Sequence, residues 1–150
     1  LKAASLIQPI QDFAASGRPL LGICLGMQLL ANSGIEGGMT EGLGLIKGHV
    51  DMLKVPNGLR LPHVGWNEMH KHQEHPLTKG LRDGVDFYFV HSYFFDIQVQ
   101  TDLVGTTHYG MECPAMVGSK NVVGMQFHPE KSQRSGLLLL DNFCTWDGSC

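Results

Sequence analysis

The sequence predicts an α/β fold, an open mixed sheet flanked by helices. Three observations carry this. A segment with apolar residues at helical spacing precedes a short apolar run that ends in a cysteine. Several aromatic and β-branched runs follow, each bounded by turn residues. A second amphipathic helical pattern closes the chain.

In order, residues 1–16 read as a helix, with Leu6, Ile7, Ile10, Phe13 and Ala14 on one face and Gly17 as its stop. Pro19 to Ile23 reads as a buried strand. Cys24 to Asn32 reads as the next helix, stopped by Gly34. Gly42 to Lys54 and His63 to Met69 read as extended segments in a turn-rich middle. Asp86 to His91, Leu103 to Tyr109 and Asn121 to Phe127 read as strands, and Ser132 to Trp146 as the closing helix. The chain opens on a helix, whereas open α/β folds usually begin with a strand. No linker or internal repeat divides residues 1–150, and a single domain is expected.

Composition narrows the function. The formal net charge is −3 with no basic stripe, so nucleic acid is not an expected partner. An apolar run such as Leu137–Leu140 is far too short to span a bilayer, and the first residues lack the order of a signal peptide. The cysteines at 24, 113, 144 and 150 form no CxxC pair, so a reduced, cytoplasmic chain is expected.

Two short motifs carry chemistry. Gly22-Ile23-Cys24-Leu25-Gly26 has the nucleophile-elbow pattern, with Cys in place of Ser, between a strand and a helix. Such a turn forces strained dihedrals on the nucleophile, and both glycines are expected to avoid clashes. Cys24 at a helix N-terminus is expected to favour thiolate, with the Leu25 N–H free to hold an oxyanion. On the pentapeptide alone, a buried cysteine between packing glycines fits equally well. His128-Pro129-Glu130 follows a strand. Residues two apart on an extended chain share a side, which sets a base beside an orienting carboxylate. Alone, a solvated histidine near a helix start is the plainer reading. Together the motifs imply Cys24 within hydrogen-bonding reach of His128.

The stretches Pro19–Gln28 and Gly124–Ser132 together resemble the class I glutamine amidotransferases. Leu61–Asn67 and Tyr88–Tyr93 narrow the resemblance to the glutaminase subunits of imidazole glycerol phosphate synthases of histidine biosynthesis. The resemblance covers nearly the whole chain. It implies that Cys24, His128 and Glu130 are catalytic and that the Leu25 N–H serves the oxyanion. Gln28 and Glu36 would contact bound glutamine, with Ser92 and Tyr93 at its backbone end. Pro62, Trp66, Asn67 and Lys131 would lie at the partner interface and ammonia gate. The partner would be a (β/α)₈ cyclase subunit in a heterodimer, and no cofactor is implied. Other class I amidotransferases, such as those feeding aminodeoxychorismate or guanylate synthesis, match the second pair of motifs less well. Members of the family begin with two further strands, one of whose loops completes the oxyanion hole. The chain therefore reads as a member shortened at its amino terminus, and the other outcome is a weak module that only docks to the cyclase.

Other polar clusters invite blander readings. His70, His72 and His75 crowd near Glu68 and Glu74 in what reads as a polar surface loop, so no metal is expected. His91 reads as a strand-end residue packed under the pocket, Cys113 as a loop residue and Cys144 as core.

Overall fold

A computed structural model describes residues 1–149. Its helices are α1 (Ile7–Ala15), α2 (Leu25–Leu29) and α3 (Gln133–Thr145). Its strands are β1 (Leu20–Ile23), β2 (Ser33–Gly34), β3 (Thr40–Glu41), β4 (Gly48–Met52), β5 (His63–Lys71), β6 (Val85–His91), β7 (Tyr93–Ile97), β8 (Leu103–His108), β9 (Glu112–Ser119) and β10 (Val122–Met125). The α/β class holds, but the expected single sheet is two. One has six strands in the order β1-β10-β9-β8-β5-β6, and the other has four in the order β3-β2-β4-β7. In the larger sheet only β1 and β10 run parallel, with Gly22 opposite Gly124 and Ile23 opposite Met125. That parallel pair matters most, because the chain leaves both strands at the same end of the sheet.

Several boundaries differ from the sequence reading. The first helix breaks at Ser5, which adopts a left-handed conformation (φ 51°), so Lys2–Ala4 forms a separate 3-10 turn before α1. The second helix stops at Leu29, and Gly34 lies in β2 instead of marking a helix end. A strand, β9, covers the region read as loop around Cys113. Pro114 sits within it as the register partner of Thr106, although proline usually argues against a strand interior. Cys113 is accordingly fully buried. Cys144 is exposed, contrary to expectation. It lies five residues beyond the buried Leu139 on α3, which turns it about 140° away from the core-facing side.

The core has two main bodies. Phe87, Phe89 and Phe127 pack with Met69, Met116, Met125 and Leu139 beneath α3, the Phe87 and Phe127 rings stacking at 4.1 Å. Met27, Leu30, Val50, Phe95 and Val117 fill the space between α2 and the two sheets. Asn121 fastens the start of β10 to the α1–β1 connection through bonds to the carbonyls of Ala14 (2.9 Å) and Arg18 (2.7 Å).

Candidate active site

Cys24 is the single residue between β1 and α2. Its backbone holds φ 51° and ψ −108°, a conformation that costs a non-glycine residue on the order of 1–3 kcal/mol. The surroundings impose it. The Cys24 N–H donates to the Met125 carbonyl at 2.7 Å, so the chain pairs with β10 to the last residue before turning. At Gly22 a Cβ would lie 2.5 Å from the Gly26 carbonyl oxygen and 2.8 Å from the Met27 nitrogen. Gly26 itself has nothing within 4 Å of a built Cβ, so only the first of the two expected glycines is sterically required. The second close approach is at Gly124, where a Cβ would come within 2.6 Å of the Met27 side chain.

The Cys24 thiol is half-buried, and burial raises its pKa above the ordinary value. The Leu25 N–H opposes this, the Glu130 carboxylate adds to it, and Gln126 and Lys131 oppose it. Desolvation thus opposes the thiolate that the helix start was expected to favour.

His128 leaves the end of β10 in extended geometry, its N–H bonded to the Tyr88 carbonyl at 2.9 Å. Its Nδ1 lies 2.7 Å from Glu130 Oε1. The pairing is not made along a straight strand as the sequence suggested. Pro129–Lys131 forms a 3-10 turn, which folds the carboxylate back onto the imidazole. Because the carboxylate accepts, Nδ1 carries the proton and Nε2 is left as the basic nitrogen. Ser132 secures the turn, donating to the His128 carbonyl at 2.6 Å and accepting from the Tyr88 N–H at 3.0 Å. Helix α3 then presses on it at Gly136, where a Cβ would collide with the Pro129 carbonyl.

Cys24 and His128 thus stand at the same end of neighbouring parallel strands, but among the described residues no hydrogen bond joins them. The thiol donates instead to the Val90 carbonyl at 3.6 Å and lies 3.9 Å from Gln126 Nε2. Gln126 is fully buried, and sequence reading gave it no role. The available signal was an uncharged polar residue inside an otherwise apolar run.

The Gln28 side chain turns inward, its Nε2 donating to the Tyr93 carbonyl and to Gln126 Oε1, both at 3.1 Å. Glu36 is exposed. It lines a 170 Å³ cleft with Leu25, Gln28, Thr40 and Glu41, beside the elbow. Ser92 and Tyr93 are half-buried behind Gln28 and are not part of that lining.

Of the expected interface residues, Trp66 on β5 and Lys131 on the turn after β10 share an exposed surface, while Asn67 lies on the inner face of β5 beside the buried His63. Trp66 is 47% exposed and meets the Tyr88 ring edge-on at 5.9 Å, and the Lys131 ammonium sits 6.0 Å from the same ring. Pro62 is exposed at the start of β5, and Asn67 donates to the His108 carbonyl at 2.9 Å. Among the histidines weighed for metal, His70 pairs with Glu68 (3.3 Å) and Asp83 (3.4 Å) on the surface. His75 is buried, accepting from the Leu77 N–H, and is not part of a polar surface loop. Among the described residues no group of three or more His, Cys, Asp or Glu is placed to hold a metal ion, and no helix is long and apolar enough to cross a membrane.

A cysteine on a strained strand-to-helix turn stands next to a strand that delivers a His–carboxylate pair, the residue types of a thiol amidotransferase. Residues 2–145 match the family model "Glutamine amidotransferase class-I", and the chain belongs to that family. The chain is 48% identical over 146 residues to the imidazole glycerol phosphate synthase subunit HisH of Desulfitobacterium hafniense, covering 97% of this chain and 68% of that one. The protein of the same name from Sulfurimonas denitrificans is 49% identical over 146 residues, covering 95% and 70%. Among solved structures, PurLQS from Thermotoga maritima superposes with a TM-score of 0.69 at 21% identity, covering 93% of this chain and 66% of that one. A glutamine amidotransferase from the same organism gives 0.63 at 21%, covering 95% and 54%. These structural likenesses show the fold alone.

Proposed function

We propose that this chain hydrolyses glutamine to glutamate and ammonia, and that the ammonia passes to a (β/α)₈ cyclase subunit for synthesis of imidazole glycerol phosphate. The observation that carries the reading is the juxtaposition of the Cys24 elbow with the His128–Glu130 pair on adjacent parallel strands. In the proposed reaction the Cys24 sulfur attacks the side-chain amide carbon of glutamine while His128 Nε2 takes the thiol proton. The tetrahedral oxyanion is met by the Leu25 N–H. His128 then protonates the departing nitrogen, ammonia leaves, and a thioester remains on Cys24. Water attacks the thioester, giving its proton to His128, and glutamate departs as the thiol is restored. Gln28 and Glu36 line the cleft that would take the substrate, with Ser92 and Tyr93 behind them.

Kinship supports the choice of pathway and partner, since the relatives named above are subunits of imidazole glycerol phosphate synthase. The exposed Trp66 and Lys131, on either side of the half-buried Tyr88 ring, form the surface proposed for docking the cyclase, and Pro62 and Asn67 are proposed to serve the same interface. One observation favours a second reading, a chain that is catalytically weak by itself: the thiol is bonded to Val90 and raised in pKa instead of being engaged by His128. Glutamate release by the chain, alone and with a co-purified cyclase, tests both. Activity only in the complex supports the first reading with a resting state. No activity in either condition, with binding intact, leaves the second.

A further inference from the structure

We propose that Gln126 is a positioning residue that donates a hydrogen bond to the Cys24 sulfur, with the direction of its amide set by the Tyr93 carbonyl acting through Gln28. The proposal deepens the glutaminase reading and rests on it for its catalytic meaning.

The Tyr93 carbonyl oxygen only accepts. Gln28 Nε2 lies 3.1 Å from it, so this end of the Gln28 amide is the NH₂ end. The same nitrogen lies 3.1 Å from the Gln126 side chain, and the atom that meets it there must accept, which makes it Oε1. The Gln126 amide then has one orientation left, with Nε2 and its protons turned to the Cys24 sulfur at 3.9 Å. His91 Nδ1 also donates to the Tyr93 carbonyl, at 2.8 Å, which holds that acceptor from the opposite side. Gln126 is fully buried and its N–H bonds to the Ala115 carbonyl at 2.9 Å, so its side chain leaves a fixed backbone. A buried amide without a ligand to serve is costly unless its partners are in place, and here each partner also constrains the thiol. A neutral donor suits this position. It favours the charged sulfur without offering a base or a competing cation.

The charged and titratable groups around the thiol are Glu130 and Lys131 on the turn after β10, with His128 on the same turn. His91 ends β6 beside Val90, and Glu36 and Glu41 line the cleft next to Leu25. All are unchanged in the variants below.

The test is the pH dependence of Cys24 alkylation by iodoacetamide, read on the Cys24-containing peptide by mass spectrometry. This needs no turnover, so its outcome is separable from that of the glutaminase reading. In Gln126→Met the alkylation midpoint should rise by about one pH unit, which slows reaction about tenfold below the midpoint. In Gln126→Glu, which can accept from Gln28 but brings a charge to the sulfur, the midpoint should rise further. Gln28→Met, at a half-buried position, releases the amide from its fixed direction and should raise the midpoint by a smaller amount. This third variant keeps the proposal open to refutation if the buried substitutions do not fold. A lowered melting temperature with an unchanged midpoint in any folded variant would mean that Gln126 only fills space, and would overturn the proposal.

Discussion

His63 Nδ1 and His91 Nε2 meet at 2.9 Å across the paired strands β5 and β6, inside the protein. His91 Nδ1 must donate to the Tyr93 carbonyl, so a neutral His91 presents an accepting Nε2 to the His63 N–H. The far nitrogen of His63 faces the Asn67 amide nitrogen at 3.4 Å. Both rings are therefore complete as neutral imidazoles. Burial lowers the pKa of His63 to about 4, with His91 adding to it, and burial also lowers that of His91. Burial takes His75, elsewhere in the fold, to about 4 as well. Between about 4 and the unfolded value near 6.5 the unfolded chain binds more protons than the folded one. Stability is thus complete above about 6.5 and falls as pH drops toward 4, by on the order of 1–3 kcal/mol for each of His63 and His75. Denaturant unfolding at several pH values through that window is the check. A flat profile would contradict the buried, neutral assignment.

The two glycines of the elbow should behave oppositely. Gly22→Ala drives a methyl against the Gly26 carbonyl and should destabilise the fold by about 1–3 kcal/mol while removing glutaminase activity. Gly26→Ala meets open space within α2 and should be neutral, or stabilising by up to about 1 kcal/mol. Thermal melts of the two variants side by side decide the matter, and equal losses would contradict the close packing of the elbow at Gly22.

Substituting Cys24→Ser should lower glutamine hydrolysis by at least about 10⁴-fold. Docking to the cyclase should persist, because Cys24 is remote in role from the exposed Trp66 and Lys131. With ammonia supplied externally, product formation by the complex should continue. Glutamine turnover near the parent rate would require another nucleophile.

Glu130→Gln keeps an acceptor for His128 Nδ1 but removes the charge that would stabilise the imidazolium. The expected fall in kcat is about 10²–10⁴-fold. The melting temperature should scarcely move, since the Glu130 side chain is 49% exposed. A large stability loss with kcat retained would make the pair structural.

The elements legible in the sequence were those whose pattern and surroundings agreed. The apolar run before Cys24 and the aromatic run Phe87–Val90 show as strands because they are short runs of apolar, aromatic and β-branched residues bounded by turn residues, and in β6 the Phe87 and Phe89 face is fully buried. β9 was missed because Pro114 and Gly118 disguise it, and only pairing with β8 and β10 makes that segment extended. The partition into two sheets depends on long-range pairing such as β4 with β7, which local pattern cannot carry. In the site, Cys24, His128 and Glu130 stood out because two motifs were read together, each of which alone has a plainer structural reading. Gln126 did not, since its meaning lies in the direction of an amide set by Tyr93, far away in sequence.

Gly136 gives the site a mechanical property that no single bond conveys. With no room for even a methyl group between α3 and the Pro129 carbonyl, helix and turn have no slack between them. Ser132 rivets the same turn to β6. The backbone that carries His128 is therefore held between α3 and β6, and its position is coupled to how that helix packs. A change that displaces α3, such as a larger side chain at Gly136, would be felt first at the turn that carries His128.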